Sequence, residues 1–218
     1  MKAFNPFADA EIAKSYEAWY HTKGLSAAVQ EKALLEWLVE QYPGAESVLE
    51  VGCGTGYFLR WFHSLGLDVA GIDRSIQMIR EAKNVNGREY ILGDAIQLPV
   101  AAKSFDLVAF ITTLEFLSNP VFVLKEALRV ARKGIILGVI NENSRLGKRY
   151  LHSGGPIWGK AKLYNPTGLR RLVEEAVGKR EKIIYRTTLW PHWHGALPLP
   201  WGGFTGMGVI LLSAGEEA

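Results

Sequence analysis

Three glycines alternate at Gly52, Gly54 and Gly56, directly after the short apolar run 48–51. The apolar run predicts a buried strand, and residues 57–65 have the pattern of a helix. Strand, glycine turn and helix form the nucleotide-binding corner of a doubly wound sheet, where ligands lie beyond the carboxyl ends of the strands. Glycine suits this turn because it adopts positive φ and lets a ligand approach the backbone closely. The alternative is a plain tight turn.

The spacing of these glycines helps to distinguish a site for a nicotinamide dinucleotide from a site for another nucleotide-like cofactor. The dinucleotide fingerprint G-x-G-x-x-G has its third glycine five positions after the first. Here the third glycine comes four positions after the first, and Tyr57 takes the next place. An acid, Glu50, precedes the first glycine by two positions. The pattern favours a cofactor other than a nicotinamide dinucleotide, and a nicotinamide-dependent oxidoreductase is the last alternative.

A second acid lies at the end of the next predicted strand. Asp73 closes the strand predicted over 68–73, 17 residues beyond Gly56. A carboxylate in this place can accept hydrogen bonds from both hydroxyls of a ribose. The alternative is that Asp73 is only a helix cap, although Ser75 can also cap the next helix.

The segment E-V-G-C-G-T-G over 50–56 resembles the first motif of class I S-adenosylmethionine-dependent methyltransferases, of the small "type 11" kind. F-D-L-V at 105–108 is similar to that family's strand beside the first one. G-D-A-x-x-L-P at 93–99 resembles the segment whose aspartate meets the adenine amino group while the next backbone N–H meets a ring nitrogen. These residues are Asp94 and Ala95 here. The resemblance covers about residues 10–213, and its specific motifs lie in 47–117.

The resemblance implies an α/β fold. The expected architecture is a Rossmann-like, doubly wound, seven-stranded and mostly parallel sheet with an antiparallel last strand and helices on both faces. The last two strands, predicted over 181–189 and 205–213, form its antiparallel edge. We expect one domain with four parts: a lid and covering helices over 1–42, a cofactor-binding core over 43–140, a substrate loop over 141–164 and the C-terminal part of the sheet over 165–218.

The implied cofactor is S-adenosyl-L-methionine, with S-adenosyl-L-homocysteine as product. Y-E-A-W-Y followed by T-K-G resembles the N-terminal segment that folds across the cofactor as a lid, whereas an ordinary aromatic stripe would be core. Closing such a site excludes water. The expected cofactor-binding residues are Tyr16, Trp19, Glu50, Gly52, Cys53, Gly54, Gly56, Asp73, Arg74, Met78, Asp94, Ala95, Thr112 and Leu114.

The acceptor side of the site is less well specified. In the family, residues corresponding to 111–117 carry the methionine end of the cofactor and face the substrate. Many relatives have His or Asn where Glu115 stands, so this acid either accepts a substrate proton or caps the next helix. In-line displacement needs no covalent nucleophile, and a base is needed only if the acceptor loses a proton early. The weak candidates for that base are Glu115, His152, His192 and His194.

Two segments are expected to be irregular. Residues 141–164 have no clear periodicity, and they mix cations with aromatics, which suits an anionic or planar substrate or a merely solvated loop. Residues 190–201 are rich in Trp and Pro and form either an aromatic wall over the substrate pocket or local packing. The H-x-H pair within them has no carboxylate nearby in sequence, so we predict no metal site.

Composition limits the number of domains, the disulfides and the membrane segments that the chain can have. The chain has 218 residues, 48% hydrophobic and 22% charged, which suits one domain with a sizeable core. The single cysteine, Cys53, excludes an intramolecular disulfide. No apolar run approaches the roughly 20 residues that cross a bilayer, and the N-terminal residues lack the layout of a secretory signal. We therefore expect a cytoplasmic protein with no membrane partner.

The charge is unevenly spread. Residues 129–182 contain 13 Lys/Arg against 4 Asp/Glu, a net +9, although the whole chain carries only +3. This basic segment either binds an anionic partner or forms a solvated face. The leading prediction is methyl transfer to a small-molecule acceptor, with anionic and aromatic acceptors both open. Methylation of RNA or protein through the basic segment is not favoured but stays open, as does a non-catalytic regulatory protein that only binds the cofactor.

Overall fold

The described part of the computed structural model, residues 6–85, 89–178, 181–191 and 193–212, forms one seven-stranded sheet. The strand order is β3-β2-β1-β4-β5-β7-β6. Strands β1 to β5 pair in parallel, and β7 runs antiparallel to both of its neighbours. The predicted sheet and its antiparallel edge are confirmed. The strands are β1 (Ser47–Val51), β2 (Asp68–Asp73), β3 (Tyr90–Leu92), β4 (Phe105–Ile111), β5 (Ala131–Ile140), β6 (Lys182–Thr188) and β7 (Phe204–Ile210).

Helices cover both faces of the sheet. Apolar residues of α2 and α3 pack in the core on one face, and those of α5 and α8 pack in the core on the other. The helices are α1 (Ala10–Tyr20), α2 (Leu25–Val39), α3 (Tyr57–Ser64), α4 (Ile76–Val85), α5 (Pro120–Val130), α6 (Arg145–Ser153), α7 (Gly155–Trp158) and α8 (Pro166–Val177). Short 3-10 turns lie at Pro6–Ala8 and Leu114–Phe116.

Side-chain caps set the starts of two helices. The Asp9 carboxylate accepts hydrogen bonds from the backbone N–H groups of Glu11 and Ile12 at the start of α1. The Asn165 side chain accepts from the Gly168 N–H at 2.9 Å, and Pro166 occupies the first turn of α8. Both local signals predict their helices because they satisfy N–H groups that the helix itself leaves free.

The expectation of an irregular segment over 141–164 is wrong. The structure places α6 and α7 there, and the Ser144 hydroxyl caps α6 by accepting from the Gly147 N–H at 2.9 Å. Helix α6 places Leu146 and Tyr150 on one face, but it has only nine residues, fewer than the roughly 11-residue window in which helical periodicity is recognised. Leu146 and Tyr150 nonetheless pack against the core under α2 and α3.

The buried face of α2 also differs from the expectation. Helical spacing predicts that Val29 and Ala33 share the covering face with Leu34, Trp37 and Leu38, but Val29 is 59% exposed and Ala33 is exposed. Leu35 and the acid Glu31 are buried instead. The helix is apolar on more than one side, so periodicity alone does not choose its inner face.

Two boundaries shift slightly. The sequence pattern predicts a helix over 25–42 and a strand over 134–140, whereas helix α2 ends at Val39 and β5 begins at Ala131, directly after α5. The predicted end of the last strand, residue 213, lies outside the described residues. None of the helices in the described ranges combines the length and apolarity that a membrane span requires.

Candidate functional site

A cavity lies beyond the carboxyl ends of β1, β2 and β4, where the doubly wound sheet changes direction. Its empty volume, counting the open mouth, is about 1330 Å³. The glycine loop, the end of β2, the turn after β3 and the end of β4 all line it, and the N-terminal segment covers it. Cofactor sites of doubly wound sheets occupy this position.

The glycine loop has the backbone that only glycine adopts easily. Gly52 and Gly54 have φ of +73° and +55°, and a Cβ on Gly52 would lie 2.3 Å from the Thr113 side chain. Gly52, Cys53 and Gly54 line the cavity as predicted. Gly56 has φ of +80° but is not among the described lining residues. A Cβ there would meet the Tyr90 hydroxyl at 2.2 Å, so Gly56 allows packing at the start of α3.

Asp73 holds the glycine loop against the end of β2. Its Oδ2 accepts from the Gly54 N–H at 2.9 Å, and its Oδ1 accepts from the Ser75 N–H at 2.7 Å. The carboxylate lines the cavity, and burial raises its pKa. Each oxygen retains acceptor capacity for a ribose hydroxyl. The Ser75 hydroxyl, rather than Asp73, accepts from the Met78 N–H at the start of α4.

Glu50 is buried at the base of the same cavity, with 2% of its surface exposed. Burial raises its pKa well above the ordinary value, and the Asp73 charge adds to this, whereas Arg60 opposes it. Its Oε2 has no hydrogen-bond partner within the described ranges. A buried polar atom left alone is rare in a folded protein. A hydrogen-bond donor on a ligand would satisfy this oxygen.

The turn after β3 forms another wall of the cavity. Asp94 and Ala95 both line the cavity, together with Arg74 and the buried Met78. The Asp94 carboxylate is exposed and accepts from the Ile96 N–H at 3.1 Å, which is a local turn bond. That bond occupies one carboxylate oxygen and leaves the other for an exocyclic amine.

The N-terminal segment is tied to the glycine loop by one acid. The Glu17 carboxylate on α1 accepts from the Thr55 hydroxyl at 2.6 Å and pairs with Arg60 and His21. Burial would raise the pKa of Glu17, but these three partners outweigh burial and the pKa is lowered. Helix α1 is thereby held across the mouth of the cavity.

The two predicted lid contacts have different positions. Tyr16 lines the cavity, and its ring lies 3.6 Å from the Cβ position of Gly54. Trp19 is not among the lining residues of the described chain; its indole packs over Gly24, where a Cβ would lie 2.3 Å away. Phe7 takes the place expected for Trp19 and lines the cavity beside Tyr16.

The end of β4 forms the third wall. Thr112 lines the cavity with φ of +49°, an unusual backbone for a branched residue, and its N–H donates to the Gly138 carbonyl at 2.7 Å. Strained backbone of this kind clusters at functional sites. Leu114, expected to bind the cofactor, is fully buried in the core instead, and Thr113 and Phe116 face the cavity.

Glu115 does not cap the next helix. Its Oε1 accepts from the Ile140 N–H at the end of β5, at 2.8 Å, and Asn119 occupies the N-cap position of α5. The side chain is 1% exposed, and burial raises its pKa to about 7. This acid therefore links the end of β4 to the end of β5 beside the cavity.

The histidine candidates lie away from the cavity. His152 on α6 and His194 are exposed, and neither lines the cavity; His192 lies outside the described residues. The expected aromatic wall from 190–201 is wrong for the described part of that segment, which does not line the cavity. Its Trp190 side chain donates to the Thr187 carbonyl at 3.0 Å, which supports the alternative of local packing.

Several lining residues escaped the sequence reasoning. They come from the 3-10 turn, α1, the end of β4 and the segment after α7. Tyr20 belongs to the aromatic stripe of α1, and the others after residue 100 lie in the segments 111–117 and 141–164, so only the residues of the first 3-10 turn carried no sequence signal. The missed residues include Pro6, Phe7, Tyr20, Thr113, Phe116 and Lys160.

Comparison with known proteins agrees with the fold and the motifs. Residues 49–138 match the model of the methyltransferase domain family. An uncharacterised protein of Methanocaldococcus jannaschii is 33% identical over 142 residues, covering 64% of each chain. A malonyl-[acyl-carrier protein] O-methyltransferase of Buchnera aphidicola is 36% identical over 89 residues, covering 40% of this chain and 36% of that one. The chain thus spans less than two thirds of the length of these relatives.

A solved structure from Thermotoga maritima has the same fold over almost the whole chain. It is a SAM-dependent methyltransferase described as a possible histamine N-methyltransferase, with 23% identity and a TM-score of 0.77. The alignment covers 94% of this chain and 99% of that one. Sheet order, glycine loop and domain match together support a class I S-adenosylmethionine-dependent methyltransferase.

Proposed function

We propose that this protein transfers a methyl group from S-adenosylmethionine to a small-molecule acceptor by in-line displacement. One observation carries the proposal. A single cavity is lined by the glycine loop, by three acids, Glu50, Asp73 and Asp94, and by the aromatic side chains of Tyr16, Tyr20 and Phe116. A nucleoside and a second molecule can therefore meet within it.

The residues of the nucleoside end fit S-adenosylmethionine. In this proposal Asp73 would hold the ribose hydroxyls, Asp94 and the Ala95 N–H would hold the adenine edge, and the unpaired oxygen of Glu50 would accept from a donor of the cofactor; all four residues line the cavity. The bound cofactor supplies an activated methyl group on a sulfonium. The protein has to align the acceptor with the S–CH₃ bond and exclude water. Helix α1, held by Glu17 over the glycine loop, provides the cover.

The aromatic side chains that cover the cavity also favour a small acceptor. Aromatic residues from the 3-10 turn, α1 and the end of β4 close over the cavity, and a macromolecule would have to displace them. Malonyl-[acyl-carrier protein], named for the Buchnera relative, presents a small acyl group on a carrier protein, so a tethered small acceptor is compatible with this proposal.

Methylation of RNA through the basic segment is less well supported, because internal bonds occupy several of its cations. Arg129 pairs with Glu126, and Arg132 pairs with Asp106 at 2.8 Å. The Lys133 ammonium donates to the Pro43 carbonyl at 2.8 Å. Affinity for single-stranded RNA that falls steeply with salt would revive this alternative. Affinity that is weak and flat across salt would remove it.

The first test is calorimetric titration. S-adenosylmethionine, S-adenosylhomocysteine and NAD are titrated into the wild type and Asp73→Ala. We expect the first two to bind, both to weaken strongly in the variant, and NAD not to bind. Binding of NAD alone would overturn the assignment of the glycine loop, and Glu50 and Asp94 would lose their roles with it.

Turnover separates an enzyme from a cofactor-binding regulator. Cofactor with an isotope-labelled methyl group is incubated with the protein and a small-metabolite extract, and labelled products are detected by mass spectrometry. We expect at least one labelled small molecule. Cofactor affinity without transfer to any small molecule would favour the non-catalytic alternative.

A further inference from the structure

Charged residues on the cavity wall come from two sides of strand β4. The three lining acids, Glu50, Asp73 and Asp94, belong to β1, β2 and the turn after β3. The strand order β3-β2-β1-β4-β5 puts these three elements on one side of β4. Of the lining Lys and Arg residues in the described ranges, Arg74 directly follows Asp73, whereas Lys160 belongs to the segment after β5. Lys160 therefore reaches the cavity from the side opposite to the acids.

The segment that carries Lys160 is fixed to the turn after β4. The Lys162 N–H donates to the Glu115 carbonyl at 2.8 Å. The Trp158 ring lies 5.8 Å from the ring of Phe116, which itself lines the cavity. Lys160 is located between these two attachments. Its place on the cavity wall is thus set by backbone and ring contacts, and its ammonium is not needed to hold the segment.

The Lys160 ammonium is available to a ligand. Within the described residues, no ion pair, hydrogen bond or ring contact involves it. Lys162 differs in this respect, because its ammonium lies 5.6 Å from the centroid of the Tyr164 ring. Residues 143–173 contain seven Lys or Arg residues and no Asp or Glu, so no acid of this stretch neutralises Lys160. A local excess of positive charge attracts anions from solution.

Aromatic rings line the cavity beside this cation. Phe7, Tyr16 and Phe116 are all lining residues. The Phe7 ring meets the other two edge to face, with centroid distances of 5.0 Å to Phe116 and 5.9 Å to Tyr16. Trp158, two residues before Lys160, continues the row from Phe116. Such rings provide an apolar wall on which a flat molecule can pack.

We propose that the acceptor is a planar anion whose acid group pairs with the Lys160 ammonium while its flat body packs against Phe7 and Phe116. The three acids on the opposite side suit a cofactor that carries a positive sulfonium, and they repel an anion from the nucleoside position. The division of charge therefore selects the acceptor and also orients it relative to the cofactor. This inference rests on the proposed methyl transfer and names the class of its acceptor.

The test compares three probes of nearly equal shape and different charge. Benzoate is negative, benzamide is neutral and benzamidine is positive at neutral pH. Each is titrated into protein saturated with S-adenosylhomocysteine, and nuclear magnetic resonance follows the probe, because fragments of this size bind weakly. We expect benzoate to bind about 3- to 10-fold more tightly than benzamide, and benzamidine to bind most weakly, since an ion pair at an exposed lysine contributes modestly.

Two results of this titration would overturn the proposal. The first is benzamide or benzamidine binding as tightly as benzoate. The second is no measurable binding of benzoate. A preference for benzoate that narrows as salt is raised agrees with the proposal, because salt screens a pair formed near solvent.

Two lysine variants locate the preference. Lys160→Gln is compared with Lys162→Gln, a matched change two residues away at a position that is not among the described lining residues. We expect the preference for benzoate to disappear in the first variant and to persist in the second. Its survival in Lys160→Gln would overturn the assignment.

The affinity of both variants for S-adenosylhomocysteine is the control. We expect it to stay within about twofold of wild type, which reports an intact fold, because Lys160 lies in an exposed turn outside the core. A loss of this affinity in Lys160→Gln alone would overturn the proposal, since the ammonium would then hold the carboxylate of the cofactor rather than that of the acceptor.

Fractionation of the metabolite extract distinguishes this inference from the broader proposal. The extract is separated on an anion-exchange column before incubation with labelled cofactor. Label transferred to molecules of the retained, anionic fraction, and reduced in Lys160→Gln, supports the inference. Label transferred only to molecules of the unretained fraction overturns the anion site and leaves methyl transfer intact. Failure of the wild type to bind S-adenosylhomocysteine defeats the proposed function itself.

Discussion

Buried carboxyls at the two ends of the sheet have opposite environments. Asp106, at the amino end of β4, accepts from the backbone N–H groups of Glu46 and Ser47 and pairs with Arg132 at 2.8 Å. Its hydrogen bond to Arg132 lowers its pKa to about 2. Glu115, just after the carboxyl end of β4, accepts a single hydrogen bond from the Ile140 N–H, and burial raises its pKa and that of Glu31 on α2 to about 7.

The difference distinguishes carboxylates that stabilise the fold from carboxyls that are available to a ligand. A carboxylate whose partners are all supplied by the fold stabilises the fold and has little left for a ligand. A carboxyl left unpaired destabilises the fold and is retained where a ligand completes it. The protein thus concentrates unsatisfied acids at the edge of the sheet where the cavity lies. Four substitutions test this comparison, from the largest expected effect to the smallest.

The largest effect is expected for Asp73→Asn. The amide keeps an acceptor for the Gly54 N–H but loses the charge that strengthens bonds to ribose hydroxyls. The Kd for S-adenosylhomocysteine should rise by about 30- to 100-fold, since hydrogen bonds to charged groups contribute about 1.5–3 kcal/mol. Calorimetric titration measures this. Asp106→Asn is the control, and an equal loss of affinity in both variants would break the comparison.

Glu31→Gln should stabilise the protein in a pH-dependent way. The pKa of Glu31 is about 7 when folded, above the ordinary 4.5, so the unfolded chain releases this proton first as pH rises. The free energy of unfolding therefore falls as pH rises from 4.5 to about 7, and the neutral amide of the variant has no such fall because it does not titrate. We expect the variant to be more stable by on the order of 1–3 kcal/mol at about pH 8, and the gain to vanish near pH 4.

Urea unfolding of wild type and variant across this pH range measures the difference. Glu175→Gln, on an exposed helix face, should show no such trend. A Glu31→Gln protein that is less stable than wild type at pH 8 would show that the fold satisfies this acid after all.

A smaller effect is expected for Glu17→Gln on the lid. The amide still accepts from the Thr55 hydroxyl but loses its ion pair with Arg60, so α1 is held less firmly over the cavity. S-adenosylhomocysteine should bind about 3- to 10-fold more weakly, mainly through faster release, since a loosened cover lets the ligand leave. Stopped-flow dissociation resolves this. Glu11→Gln on the exposed side of the same helix should leave the release rate unchanged.

The smallest effect is expected for Asp106→Asn. Its low pKa means that the carboxylate stabilises the fold above the ordinary value of 3.8, and this contribution is lost as pH falls through about 2. The variant should melt a few degrees below wild type at neutral pH, with the gap closing in acid, while cofactor affinity stays within about twofold. Thermal melts recorded from neutral pH downward measure this gap. A weakened cofactor site would contradict a purely structural role.

Local sequence chemistry predicted much of the fold and the nucleoside end of the site. The glycine spacing, the caps at Asp9 and Asn165 and the acids at strand ends each act within a few residues, so they can be recognised without the rest of the chain. Asp73 and Asp94 line the cavity for that reason. Helices α6 and α7 were missed because they have only nine and four residues, fewer than the roughly 11-residue window in which helical periodicity is recognised.

The acceptor end depended on contacts between distant segments. Whether Trp19 or Phe7 meets the cavity depends on how the N-terminal segment crosses the glycine loop. Whether Leu114 or Glu115 lies beside the site depends on the turn after β4. The sequence by itself determined the class of fold and the cofactor, because those signals are local. Only the tertiary structure decided that Glu31 and Glu115 are buried, because burial arises from packing between elements far apart in the chain.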